Sequence, residues 1–238
     1  MKSDIAIKLT NVTKSYILHH EKPTFVEDVI MRKRKEIFLA INNLSLIINK
    51  GEKVGIIGHN GSGKTTLLKL MSCISVPTEG EILTNGKLIS LIDLDAGFHP
   101  DLTGVENVLL NGLILGLTKA EIMKNLDKIV SFADIGKFID SPLYTYSSGM
   151  RLRLGFAVAI NANPDILILD ENISVGDENF KRKIDLKMNE MIKSKKTIIL
   201  VSHYRQYLEK FCNRYIVMNS GKIVMDGGNE VLEQYFKY

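Results

Sequence analysis

One stretch constrains the fold more than any other. Gly58-His59-Asn60-Gly61-Ser62-Gly63-Lys64-Thr65 satisfies the pattern G-x-x-x-x-G-K-[ST] in full, and Thr66 follows directly. Ahead of it lies the short apolar run Lys53-Val54-Gly55-Ile56-Ile57, and behind it Lys64 to Ser72 carries helical spacing. Strand, glycine-rich loop and helix in that order separate a phosphate cradle from a chance glycine-rich turn. The glycines let the backbone curl so that successive N–H groups converge on phosphate oxygens, and the positive end of the following helix adds to the field. Lys64 is then placed to meet the β and γ phosphates, and Thr65 to hold Mg²⁺.

The surrounding chain fits an α/β fold. Ile5, Ile7 and Leu9 alternate with other residues from Asp4 to Lys14, and Ile37 to Ile48 alternates more loosely, which predicts two strands with a polar insertion between them. Short strands are expected around Glu81 to Leu83 and Lys87 to Ile92, joined as a hairpin by Asn85-Gly86. From about residue 94 to 160 the pattern becomes helical. Its clearest start is Thr118, with Glu121 completing a capping box and Ile122, Leu126, Ile129 and Val130 forming the apolar face. Strands at 165–170, 197–202, 214–218 and 222–225 then enclose helices at 178–193 and 204–211. Such alternation predicts a mostly parallel, buried sheet. The chain reads as one domain over residues 1–238, with a helical lobe inserted at about 94–160.

With 45% hydrophobic residues the 238-residue chain has the composition of a folded protein, not of a disordered one. The charge balance, 31 basic against 27 acidic residues, gives only +4, well short of the bias of a dedicated nucleic-acid binder. Cys73 and Cys212 have neither disulfide nor zinc spacing, which suits a reducing compartment. No apolar run approaches a membrane span, and the N-terminus has no apolar block, so the chain is expected neither to cross a membrane nor to be secreted.

A second chemical feature is Ile166-Leu167-Ile168-Leu169-Asp170-Glu171, an apolar strand ending in two carboxylates. Taken alone, acids capping a strand are commonly structural. Downstream of a phosphate loop, the strand lifts them to the sheet edge where α/β folds place ligands. Asp170 would face Mg²⁺, and Glu171 the attacking water as its base or positioning group.

The third feature is Tyr146-Ser147-Ser148-Gly149-Met150, which precedes a predicted helix from Arg151 to Ala162. It resembles the signature motif of ATP-binding cassette (ABC) ATPases, commonly Leu-Ser-Gly-Gly-Gln, with Ser147 on the serine and Gly149 on the second glycine. The departures resemble the variant in ATPases of bacterial polysaccharide exporters, including O-antigen and teichoic acid transporters. Ser147 and Ser148 keep hydroxyl donors, Gly149 keeps a bare backbone, and the helix N-terminus still attracts a γ-phosphate. A plain serine cap is the competing reading.

The resemblance covers almost the whole chain and implies a P-loop NTPase (RecA-like) core with N-terminal antiparallel strands and an inserted helical subdomain. It also assigns further residues. Tyr16 matches the aromatic position that stacks on adenine, although an isolated Tyr at a strand end is also ordinary packing. Asp177, in Ser174-Val175-Gly176-Asp177, matches the acidic position of the loop that crosses the dimer interface. His203 matches the switch histidine that contacts the γ-phosphate and supports Glu171. The usual Gln between the first sheet and the helical lobe is missing from the segment Leu91 to Gly104; Asp93 or Asp95 could replace it as an oxygen ligand or be a solvated loop acid.

From this resemblance follows an ATP-hydrolysing, Mg²⁺-dependent subunit of an exporter for a lipid-linked polysaccharide. Two copies would close head to tail, each ATP lying between Lys64, Thr65 and Asp170 of one and Ser147 to Gly149 of the other. A separate integral membrane permease would take up the force beside the 93–104 segment, which puts the chain at the cytoplasmic face of the bacterial membrane. Because Tyr238 follows soon after the last cassette strand, glycan specificity is expected mainly in that permease. A soluble ABC ATPase of translation or DNA maintenance is the rival; those usually carry two cassettes or long coiled coils. The run Arg32-Lys33-Arg34-Lys35 reads as a solvated turn or as a contact for anionic headgroups. A nucleic-acid patch fits less well, because no aromatic residues interleave with it.

Overall fold

The computed structural model describes residues 4–18, 36–92, 97–170 and 178–237. Among these, strand β1 (Ile5–Leu18) pairs antiparallel with β2 (Glu36–Asn49), and after β3 (Lys53–Ile57) and helix α1 (Lys64–Met71) the strand β4 (Glu79–Thr84) joins its other edge, giving the order β2-β1-β4. β1 outruns the expected Lys14 by four residues. Beyond that point Tyr16 and Ile17 are both exposed, so alternation fades, while the ladder continues through Tyr16↔Phe38 and Ile17↔Ile37. Asn11 and Asn43, both left-handed, lie at register breaks in this pair.

β5 (Leu88–Ser90) corrects the expected hairpin. It leaves the first sheet and pairs parallel with β6 (Ile166–Leu169), so Asn85-Gly86 is a corner between two sheets. The reason is tertiary: the Asp165 carboxylate accepts the Lys87 N–H at 2.8 Å, and the Lys87 carbonyl accepts the Asp165 N–H at 2.8 Å. Gly86, at φ 124°, leaves no room for a side chain beside Asp165.

The helical lobe consists of α2 (Gly104–Ile114), α3 (Lys119–Ala133) and α4 (Ser148–Asn161), with short 3₁₀ turns at Gly136–Asp140 and Leu143–Thr145. Thr118 and Glu121 form the expected capping box on α3, and Thr103 and Glu106 form a second one on α2. The predicted face of α3 is inside: Ile122 and Ile129 are buried, with Leu126 and Val130 packed against the same cluster. Asn107 is fully buried and holds the entry to the lobe. Its amide donates to the carbonyls of His99, Leu102 and Thr103 at 3.0, 2.9 and 3.0 Å and accepts from His99 N–H at 2.7 Å.

The chain then returns through α5 (Glu178–Ile192), β7 (Thr197–Val201), α6 (Arg205–Phe211), β8 (Arg214–Asn219), β9 (Lys222–Gly227) and α7 (Asn229–Phe236). The larger sheet has the order β5-β6-β7-β3-β8-β9, parallel except for β9. β3, β6 and β7 are buried at every position, as a sheet covered on both faces requires. Their period of two divides the core: Ile166 and Ile168 join Val54, Ile56 and Leu67 on one face, while Leu167 and Leu169 join Phe156, Phe180 and Leu200 on the other. Thr197, at the foot of β7, is a buried polar residue in these strands, and so is Lys53, at the foot of β3. Its ammonium donates to the carbonyls of Gly51, Ser194 and Lys196, and desolvation lowers its pKa.

Candidate nucleotide site

Because β3, β6 and β7 run parallel, their C-terminal ends carry the phosphate loop, Asp170 and His203 to one edge of the sheet. A cavity of about 360 Å³ opens there, lined by Asn60, Gly61, Gly63, Lys64, Thr65, Thr66, Asp170 and His203 together with Phe38, Ala40 and Val201. Asp170 is buried; His203 and Thr65 are exposed at the mouth.

The loop is held by steric fit. Gly58 has φ 152°, and a β-carbon there would stand 2.4 Å from the Met218 carbonyl oxygen. Gly63 has φ 102°, and a β-carbon there would stand 2.6 Å from the Ala40 carbonyl oxygen. The Ser62 carbonyl accepts the Gly221 N–H at 3.0 Å, and the Gly221 carbonyl accepts the Asn42 N–H at 3.0 Å, so the β8–β9 turn and β2 clamp the loop from two sides.

Lys64, only 7% exposed, donates to the carbonyls of Gly58 and His59 at 2.6 and 3.0 Å. Those bonds curl the loop around the ammonium, and the same group is placed to exchange them for phosphate oxygens. Buried Ser62 Oγ has no hydrogen-bond partner among the described residues. Gly63 also begins α1 with neither a side-chain cap nor an acid in the first turn. α2 and α3 satisfy their terminal N–H groups with capping boxes, and α4 does so with a serine. The bare N-terminus of α1 faces the cavity, and unsatisfied donors with a positive helix end suit an anion.

The signature residues lie elsewhere. Ser147 is the N-cap of α4, its hydroxyl accepting the Met150 N–H at 3.2 Å, and Ser148 and Gly149 open the first turn. Tyr146 fixes this start: its hydroxyl donates to the Phe138 carbonyl, and burial pushes its pKa up to about 12. None of Ser147, Ser148 or Gly149 lines the cavity of its own chain. Glu171 and Asp177 lie outside the described residues, as do Ser174 to Gly176, Asp93, Asp95 and Arg32 to Lys35.

Tyr16 is 40% exposed, with the Lys14 ammonium 5.2 Å above its ring. Its cross-strand neighbour Phe38 is the aromatic residue that lines the cavity. Phe38, Ala40, Val201 and Gly221 are site residues that sequence reasoning missed. Phe38 could have been found from its place opposite Tyr16 in the hairpin; Gly221 carries only the signal of a Ser-Gly turn.

Fold and site together define a P-loop NTPase cassette. The chain belongs to the ABC transporter family, whose model matches residues 41–174. It is 44% identical over 97% of its length to the O-antigen export system ATP-binding protein RfbB of Myxococcus xanthus, covering 55% of that protein. It is 42% identical over 96% of its length to the teichoic acids export ATP-binding protein TagH of Bacillus cereus, covering 42% of it. The chain thus spans about half the length of these two relatives. With the RfbB of Klebsiella pneumoniae it shares 37% identity, and 97% of each chain is covered. A solved dimeric ATP-binding cassette, in a post-hydrolysis state bound to ADP and Pi, is 25% identical and superposes with a TM-score of 0.73 over 93% of this chain and 98% of its own.

Proposed function

We propose that the chain is the ATP-hydrolysing subunit of an exporter that moves a lipid-linked polysaccharide, such as O-antigen, capsule-like glycan or teichoic acid, across the bacterial cytoplasmic membrane. The observation that carries the ATPase reading is the convergence of Lys64, Thr65, Asp170 and His203 on one cavity beside an uncapped helix N-terminus. The export systems named for its relatives support the glycan class.

In this reading the triphosphate replaces carbonyl oxygens at Lys64, and the N–H groups from His59 to Thr66 surround its β and γ phosphates. Mg²⁺, a hard ion that takes oxygen ligands, would be held by the Thr65 hydroxyl, Asp170 and the phosphates. These groups fit it: the Thr65 hydroxyl and the buried Asp170 carboxylate are hard oxygen donors that line the same cavity. The base would lie at the aromatic end of the β1–β2 arm, against Phe38 with Tyr16 beside it. Glu171 orients and deprotonates the attacking water, and His203 contacts the γ-phosphate. Ser147 to Gly149 do not reach the cavity of their own chain, so they would close the site of a second copy, with Asp177 at the interface. A membrane permease would dock near residues 93–104 and couple closure to transport. No described helix is long and apolar enough to cross a membrane.

Glu171→Gln tests both parts. The variant is expected to bind ATP, to lose turnover and to run as a dimer on gel filtration with Mg-ATP. Produced in the native cell, it should stall export and cause an undecaprenyl-linked glycan to accumulate, identified by mass spectrometry. Hydrolysis at the parental rate refutes the base assignment, and unchanged lipid-linked glycan pools refute the export assignment.

A further inference from the structure

The second residue of the phosphate loop touches a helix that belongs to no recognised motif. His59 and Tyr235 bring their rings to a centroid distance of 6.0 Å with planes tilted by 46°. Tyr235 belongs to α7, whose Val231 and Leu232 are buried in the main core, and its ring meets Phe236 edge to face at 5.2 Å. Its hydroxyl has no hydrogen-bond partner among the described residues, and burial raises its pKa. The ring, not the hydroxyl, therefore makes the contact.

On the other side of the contact, His59 is part of the cradle. Its carbonyl accepts the Lys64 ammonium at 3.0 Å and the Ser62 N–H at 3.1 Å. The imidazole itself is exposed, with Tyr235 as its aromatic neighbour. Gly61, two residues on, has open space around the position of a β-carbon, so the tip of the loop is not packed on that side.

We infer that Tyr235 is a positioning residue for the phosphate loop, and that docking of α7 and nucleotide affinity are thermodynamically linked through His59. The inference rests on the nucleotide reading above. Linkage is reciprocal: if docked α7 favours the nucleotide-ready loop, bound nucleotide must favour docked α7 by the same factor. An aromatic contact of this kind is worth about a 3- to 10-fold change in affinity.

The test measures Mg-ADP binding by titration calorimetry on the full chain and three variants. Tyr235→Ala is expected to weaken binding by about 3- to 10-fold, and Tyr235→Phe to keep the parental affinity. Adding Tyr235→Ala to His59→Ala should cost nothing beyond His59→Ala alone, because the shared contact is already gone. Equal affinity of Tyr235→Ala and the parent, or a full additive loss in the double variant, overturns the inference. The unmodified chain gives an independent arm that survives a misfolded variant: saturating Mg-ADP should slow amide hydrogen exchange across residues 229–236, and identical exchange with and without nucleotide overturns the linkage. If the parental chain binds no Mg-ADP at all, the nucleotide reading itself fails, a result distinct from either of these.

Discussion

The glycines that matter most to the site divide into two kinds. Gly58 and Gly63 belong to the phosphate motif, and their positive φ and close neighbours explain why no side chain fits. Gly221 belongs to the β8–β9 turn, yet it bonds to Ser62 and Asn42 at once. At φ 74°, with the Ala40 carbonyl oxygen 2.7 Å from its would-be β-carbon, it has no more freedom than they do. Gly221→Ala is therefore expected to cost about 1–3 kcal/mol of stability and to weaken Mg-ADP binding, although it lies outside the motif. Urea denaturation alongside nucleotide titration checks this. A loss of stability without loss of affinity would show that the turn supports the fold and leaves the loop unaffected.

At the scale of elements, the two capping boxes give the helical lobe a specific response to acid. Bonds from Thr103, its N–H first and then its hydroxyl, hold the Glu106 carboxyl below its ordinary value of 4.5. For Glu121 the Thr118 hydroxyl comes first and the N–H second. Both pKa values are depressed in the folded chain, so their stabilisation is fully present above 4.5, begins to fade as pH falls below it, and is gone below the folded values. Replacing Thr103 and Thr118 by Ala should flatten that acid limb when helix content is followed by circular dichroism. An unchanged acid limb would mean that the boxes add nothing in solution. The box on α3 was legible because an unambiguous apolar face follows it, whereas Thr103 stands in a segment where no periodic face announces the helix. The corner at Asn85-Gly86 was misread for a related reason. An Asn-Gly pair between two short apolar runs is the strongest local hairpin signal, and only contact with Asp165, far along the chain, redirects it. The core strands were legible because a buried parallel strand is apolar throughout; the end of β1 was not, because backbone pairing without burial leaves no pattern in the sequence.

For the whole molecule, the two thiols report on the fold in opposite ways. Cys73 is exposed, while Cys212 is buried and burial pushes its pKa up to about 12. A thiol reagent at neutral pH should modify exposed Cys73 first and Cys212 only as the core opens. Mass spectrometry of the time course separates the two, and equal rates would contradict the burial of Cys212 in solution. The placement of the phosphate loop, Asp170 and His203 at one sheet edge was legible because each follows a contiguous apolar strand. Less legible is what surrounds them: Gly221 under the loop and Tyr235 against His59 are brought there by tertiary packing alone, and Phe38 at the cavity wall is reached only through its pairing with Tyr16.

The position of β3 between β7 and β8 has a consequence for the order in which the molecule can be made. A ribosome delivers the phosphate loop early, but the strands that flank its root, residues 197–201 and 214–219, emerge last among the parallel ones. At ordinary elongation rates that interval is on the order of ten seconds. Throughout it the cradle has its letters but not its walls, and a nascent chain carrying the complete motif cannot yet hold a triphosphate in a built site. The capacity to engage nucleotide thus arrives only once β8 has emerged, so this fold ties its first biochemical act to the synthesis of a strand about 150 residues beyond the motif.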